Sequence, residues 1–66
     1  MKNNIRVERA RQRMSQQELA EKTGVSRQTI NAIELGKFNP STILAMKMSL
    51  VFGIPVNEIF ELEEGD

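Results

Sequence analysis

Apolar residues recur along this chain at steps of three and four, the spacing that gathers side chains on one face of an α-helix, and they do so in separate short stretches. From about Asn4 to Arg13, Val7, Ala10 and Met14 keep that spacing with Ile5 beside them, and arginines occupy the other sides. A second stretch opens on Ser15-Gln16-Gln17-Glu18. Ser15 can accept from the Glu18 amide while Glu18 reaches back to the Ser15 amide, the reciprocal arrangement that starts a helix. Leu19 and Ala20 face inward, and Gly24 supplies the left-handed residue on which a helix stops. A third stretch starts after Ser26, another capping residue, carries Ile30 and Ile33 on its inner side, and ends at Gly36.

Only Gly24, Val25 and Ser26 part the second stretch from the third, so the two helices must meet steeply. A helical pair joined by so short a turn containing Gly is a helix-turn-helix arrangement. "KFNPS" is then a turn, because Pro40 cannot continue a helix and Ser41 can cap the next one. A fourth helix is predicted over about Thr42 to Phe52, closed by Gly53, and a fifth from Pro55 to about Glu61. The tail "FELEE" alternates apolar and polar residues and is expected to lie as a short strand against the N-terminal "MKN" segment.

The fourth helix is apolar on two sides. At about 100° per residue, Leu44, Ala45, Met48, Val51 and Phe52 share one side, and Ile43, Met46 and Leu50 share the opposite one. A helix apolar all round is covered on more than one side. The second stripe meets either the chain's own fifth helix or tail, or a partner.

Composition narrows the chemistry. Sixty-six residues make one domain, expected to span 1–66. A chain this short buries only about 60% of its unfolded surface, which makes oligomerisation a source of added stability. There is no Cys and no His, which removes disulfides, the usual zinc sites and the commonest nucleophile–base pairs. With no Gly-rich phosphate loop either, an enzyme would have only carboxylates and amides to work with. No catalytic residue, metal, cofactor or small-molecule ligand is evident. No apolar run approaches the roughly 18 residues that span a bilayer, and the N-terminus lacks the apolar core of a signal peptide. The expectation is a soluble cytoplasmic protein.

Net charge is zero, but its distribution is not even. Residues 1–47 hold all nine Lys and Arg against four acids, a surplus of five positive charges, and residues 48–66 hold five acids and no base. A basic body with an acidic tail (61–66) suits binding to a polyanion by one face.

The third helix says which polyanion. Its start, Arg27, Gln28, Thr29 and Asn31, is crowded with side chains that make forked or two-way hydrogen bonds, and Ala32 lies beside them. Arg suits guanine O6 and N7, Gln and Asn suit adenine N6 and N7, and Thr can touch a thymine methyl. A helix in the DNA major groove reads bases with its N-terminal residues. An ordinary solvated face would more often carry Glu and Lys.

"SQQELAEKTGVSRQTINAIELGKFNPS" resembles the helix-turn-helix of Cro/C1-type, XRE-family transcriptional regulators, with the motif proper at about 16–35. The likeness extends over residues 3 to 60, and Gln16, Leu19, Ala20, Gly24, Val25, Ser26, Ile30, Ile33, Glu34 and Gly36 fall where that family has them. The resemblance implies an all-α, five-helix, lambda-repressor-like DNA-binding domain, with a short terminal β pairing as an option. It implies base contacts from Arg27, Gln28, Thr29, Asn31 and Ala32. It assigns phosphate contacts to Gln16, Lys37, Phe38, Asn39 and Ser41, with Gln16 also bracing the third helix. Arg9 and Glu34 match a structural salt bridge between the first and third helices. Leu35 departs from the Asn often found there, which removes one backbone-contacting amide, and is expected to pack under the fourth helix.

Two function classes follow. One is a repressor that binds an inverted-repeat operator in double-stranded DNA as a homodimer joined through Ile43, Met46, Leu50, Ile59, Phe60 and Leu62. The other is an antitoxin-like or coactivator-like interaction module on the same fold, with the apolar stripe meeting a different protein.

Overall fold

Three of the five helices start where a capping serine puts them. The computed structural model describes residues 1–66. Its elements in chain order are β1 (Lys2–Asn3), α1 (Ile5–Arg11), α2 (Gln16–Thr23), α3 (Arg27–Glu34), α4 (Thr42–Phe52), α5 (Val56–Ile59) and β2 (Phe60–Glu61). Ser15 Oγ accepts the Glu18 N–H at 3.0 Å, and the Glu18 carboxylate accepts the Ser15 N–H at 3.5 Å. Ser26 and Ser41 cap α3 and α4 by the side chain alone, each accepting an amide at 3.1 Å. Gly24 ends α2 at φ 75, a left-handed conformation that costs glycine little.

One core joins all five helices. It comprises Ile5, Met14, Leu19, Ala20, Ile30, Ile33, Leu44, Met48, Phe52, Ile59 and Phe60. Each fully buried aliphatic side chain contributes about 1.5–3 kcal/mol, so Ile30 and Ile33 set which face of α3 turns inward.

Three expectations need correction. First, α1 ends at Arg11, and Val7 and Ala10 face solvent. Its inner side holds Ile5 and Glu8, with Arg9 half-buried. The helix is rotated because Arg9 turns inward to its partner on α3, and Arg13, at φ 52, then closes the turn. Second, α5 stops at Ile59, since Phe60 and Glu61 are drawn into antiparallel pairing with β1, Lys2 opposite Glu61 and Asn3 opposite Phe60. The expected terminal strand pairing is thus present. Third, Leu35 does not pack under α4; it stays 59% exposed, because Gly36 at φ 75 turns the chain away directly after it.

The small sheet ties both chain ends to the end of α3. The Asn4 N–H donates to the Ile59 carbonyl at 2.7 Å, and Asn3 Nδ2 donates to the Ile33 carbonyl at 2.9 Å. The Met1 ammonium lies 3.0 Å from Glu63 and 3.1 Å from Asp66. Hydrogen bonds to Glu63 and Asp66 hold that ammonium above its ordinary value of 8.0. The Glu63 backbone N–H, and then the ammonium, hold the Asp66 carboxyl below 3.8. No helix is long and apolar enough to cross a membrane.

Candidate nucleic-acid interface

With Ile30 and Ile33 buried, helix geometry decides what α3 offers to solvent. At about 100° per residue, Gln28 points most nearly opposite the buried pair, flanked by Asn31 and Ala32, with Arg27 beyond Asn31. Arg27, Gln28 and Asn31 are exposed, and Ala32 and Thr29 are half-buried at the edges. The Thr29 hydroxyl is 2.9 Å from that of Ser26, so its methyl is what remains for an incoming ligand. The Gln28 side chain makes no hydrogen bond within the chain, which leaves both ends of its amide group free.

Gln16 stands at the first position of α2 and reaches across to α3. Its Nε2 donates to Asn31 Oδ1 at 3.2 Å and to Glu34 Oε1 at 3.3 Å, and its Oε1 accepts from Arg27 Nη1 at 3.4 Å. One amide therefore holds Arg27 and Asn31 side by side. Behind it, Arg9 grips Glu34 by two hydrogen bonds, Nε to Oε2 at 2.8 Å and Nη2 to Oε1 at 3.0 Å, and donates a third to the Met14 carbonyl at 3.0 Å. The two side chains are 15% and 7% exposed. Hydrogen bonding to Glu34 holds the Arg9 guanidinium above its ordinary pKa. The pair is a strut between α1 and α3, and it continues through Gln16 into the exposed polar row.

The loop after α3 provides donors of another kind. The Lys37 N–H closes the end of α3 by donating to the Ala32 carbonyl at 2.9 Å. The N–H groups of Phe38 and Asn39 have no partner in the chain, and the side chains of Lys37, Phe38 and Asn39 are exposed. Ser41 Oγ accepts the Leu44 N–H, and its own proton is left to donate. A lysine, two free amides and a hydroxyl at one edge form a set suited to phosphate oxygens.

The apolar residues of α4 divide as their periodicity suggests. Leu44, Met48 and Phe52 are buried, whereas Ile43, Met46 and Leu50 are 69%, 59% and 83% exposed. Met46 and Leu50 line a shallow apolar hollow with Val56, and Leu62 is also exposed. Ile59 and Phe60, expected in a partner contact, are 0% and 7% exposed. Both belong to the chain's own core: Ile59 from the inner side of α5, and Phe60 where its pairing with Asn3 holds it.

A family model described as helix-turn-helix matches residues 5–59. This chain belongs to the Cro/C1-type helix-turn-helix family. Similar members include an uncharacterized HTH-type transcriptional regulator of Methanocaldococcus jannaschii, 47% identical over 66 residues and covering all of both chains. Another, of Bacillus subtilis, carries the same description and is 45% identical over 64 residues, 97% of each chain. Among solved structures, a hypothetical transcription factor from Neisseria is 29% identical with a TM-score of 0.77; the match covers 83% of this chain and 62% of that one. As a family member, the chain is a helix-turn-helix transcriptional regulator of the DNA-binding kind.

Within that helix-turn-helix frame, two basic residues take positions that the sequence does not announce. Lys47 on α4 donates to the Thr23 carbonyl at 3.4 Å, placing its charge at the C-terminal end of α2, where the helix dipole favours it. Nothing local to "AMKMS" signals that contact. Arg6 lies on the wall of an open cleft between α1 and α3. A count of arginines around the first helix could single it out only with the rotation of α1 already known.

Proposed function

We propose that this chain is a sequence-specific DNA-binding repressor, acting in the cytoplasm as a homodimer on an inverted-repeat operator. Arg27, Gln28, Thr29, Asn31 and Ala32 face base edges in the major groove. Lys37, Ser41 and the backbone amides of Phe38 and Asn39 hold phosphates. The Gln16 side chain is committed to α3, so its phosphate contact comes from the main-chain N–H at the start of α2, which has no intrahelical partner by helix geometry. The observation that carries this reading is the Gln16 bridge to Arg27 and Asn31, which orders a polar row that nothing inside the chain requires.

The dimer follows from area. A single module of this kind buries only about 600–1,000 Å² on DNA, and two-fold pairing doubles the contacts with recognition helices about 34 Å apart. Ile43, Met46 and Leu50, with Leu62 at the edge, form the paired surface. The chain has no other exposed apolar stripe of that extent on one helix.

Selection of bound duplexes from a random pool, followed by sequencing, tests the proposal. The expected product is an inverted repeat whose half-sites are centred about one helical turn apart, roughly 10–10.5 base pairs. Absence of any enriched sequence, together with a stoichiometric heterologous partner on purification, would instead establish the interaction-module reading.

A further inference from the structure

We propose that Arg6 is an additional DNA-backbone contact, and that the cleft it lines between α1 and α3 seats one phosphodiester of the operator. The proposal rests on the DNA-binding reading above and extends the contact surface onto a helix to which that reading assigns no DNA contact.

The cleft has a volume of about 510 Å³. Arg6 and Arg9 line it from α1, Asn31 and Glu34 from α3, Gln16 from α2, and Leu35 from just beyond α3. Most of these groups are already committed. Arg9 and Glu34 neutralise each other, and Gln16 and Asn31 are bonded together. Arg6 differs from the other two arginines of α1: Arg9 pairs with Glu34 and Arg11 with Glu8, while Arg6 has no ionic partner and is exposed. The cleft therefore carries one uncompensated positive charge, and it opens beside Asn31 in the proposed reading row.

The opposite wall fits the same ligand. Leu35 is 59% exposed at that rim and gives the same cleft an apolar surface. A nucleotide unit offers both chemistries: an anionic oxygen for a guanidinium, and deoxyribose carbons for a leucine. A leucine at position 35 has no donor for a phosphate, and Arg6 supplies one from across the cleft.

The test is the salt dependence of binding to the selected duplex for wild type, Arg6→Gln, Arg6→Lys and Arg11→Gln, with folding checked by circular dichroism. Each phosphate neutralised contributes about 0.9 to the slope of log K against log salt. Arg6→Gln should reduce the slope by about that amount for each protomer bound, with base preference unchanged, and Arg6→Lys should restore most of it. Arg11→Gln removes the same formal charge from a residue that is paired with Glu8 and lines a different hollow, beside Glu58 and Glu61, and should leave the slope near wild type. An unchanged slope in Arg6→Gln, or an equal fall in Arg11→Gln, overturns the contact while leaving the DNA reading intact. A wild type that binds no duplex overturns the DNA reading and this contact with it.

Discussion

Gln28 and Glu34 show how differently two polar residues on one short helix are used. Gln28 is exposed with no partner in the chain, so its removal costs the fold little. Gln28→Ala should weaken binding to the preferred operator by about 1–3 kcal/mol and relax one position per half-site, read by repeating the duplex selection with the variant. An unchanged preference profile would remove α3 as the reader. Glu34 is nearly buried, accepts twice from Arg9 and once from Gln16, and its loss strands a guanidinium. Glu34→Ala should lower stability by about 2–3 kcal/mol, between the values for exposed and fully buried pairs, measured by urea denaturation. Because Gln16 also loses a partner, the folded fraction should bind more weakly yet prefer the same bases. A changed preference at full stability would place Glu34 among the readers.

At the scale of elements, the angle between α2 and α3 depends on one left-handed residue. Gly24 sits at φ 75, and a Cβ built there would meet nothing closer than Lys47 Nζ at 3.8 Å. Space is available, so the cost of Gly24→Ala is conformational, about 1–2 kcal/mol for a non-glycine residue in that region. Denaturation of the variant should show that loss, with α2 and α3 still helical by circular dichroism. A neutral or stabilised variant would mean that the turn can close another way. The helix α4 illustrates the opposite case, an element whose own sequence supports two burials. Its core side is satisfied by Leu44, Met48 and Phe52 within the chain, and its other side is not.

For the whole molecule, that second side predicts assembly. Leu50→Glu places like charges face to face across a two-fold apolar contact and should give a folded monomer with much weaker operator binding. Sedimentation of wild type and variant decides this: a wild-type monomer at tens of micromolar, or an undisturbed variant dimer, would discard the interface. The chain ends respond to pH instead. The Met1 ammonium is held above 8.0, so its contribution is complete below that pH and is lost as pH rises through the folded value. Asp66 is held below 3.8, so its contribution is present above that pH and is lost as pH falls through the folded value. The clip is therefore complete between these limits. Carbon-detected NMR of the Asp66 carboxyl should show its own titration displaced downward and a second step above pH 8, where the ammonium deprotonates. A single step at the ordinary carboxylate pH would show that the clip does not persist in solution.

The sequence by itself determined what depends on neighbours along the chain. Ser15 with Glu18, Ser26, Ser41, Gly24 and Gly53 set helix limits through bonds spanning three or four residues, and those limits agree with the structure for α2 and α4. Periodicity divided α4 into a buried side and an exposed one for the same reason. Only the tertiary structure decided what depends on distant partners. The rotation of α1, which hides Glu8 and exposes Val7, follows from the grip of Arg9 on Glu34 across 25 positions. The inward turn of Phe60 follows from its pairing with Asn3, and Ile59 is held beside it by the Asn4 N–H on its carbonyl, both from the other end of the chain. A seven-residue α1 has too few turns for its apolar pattern to fix its own orientation, so long-range bonds set it, and with it which arginines line the cleft beside α3.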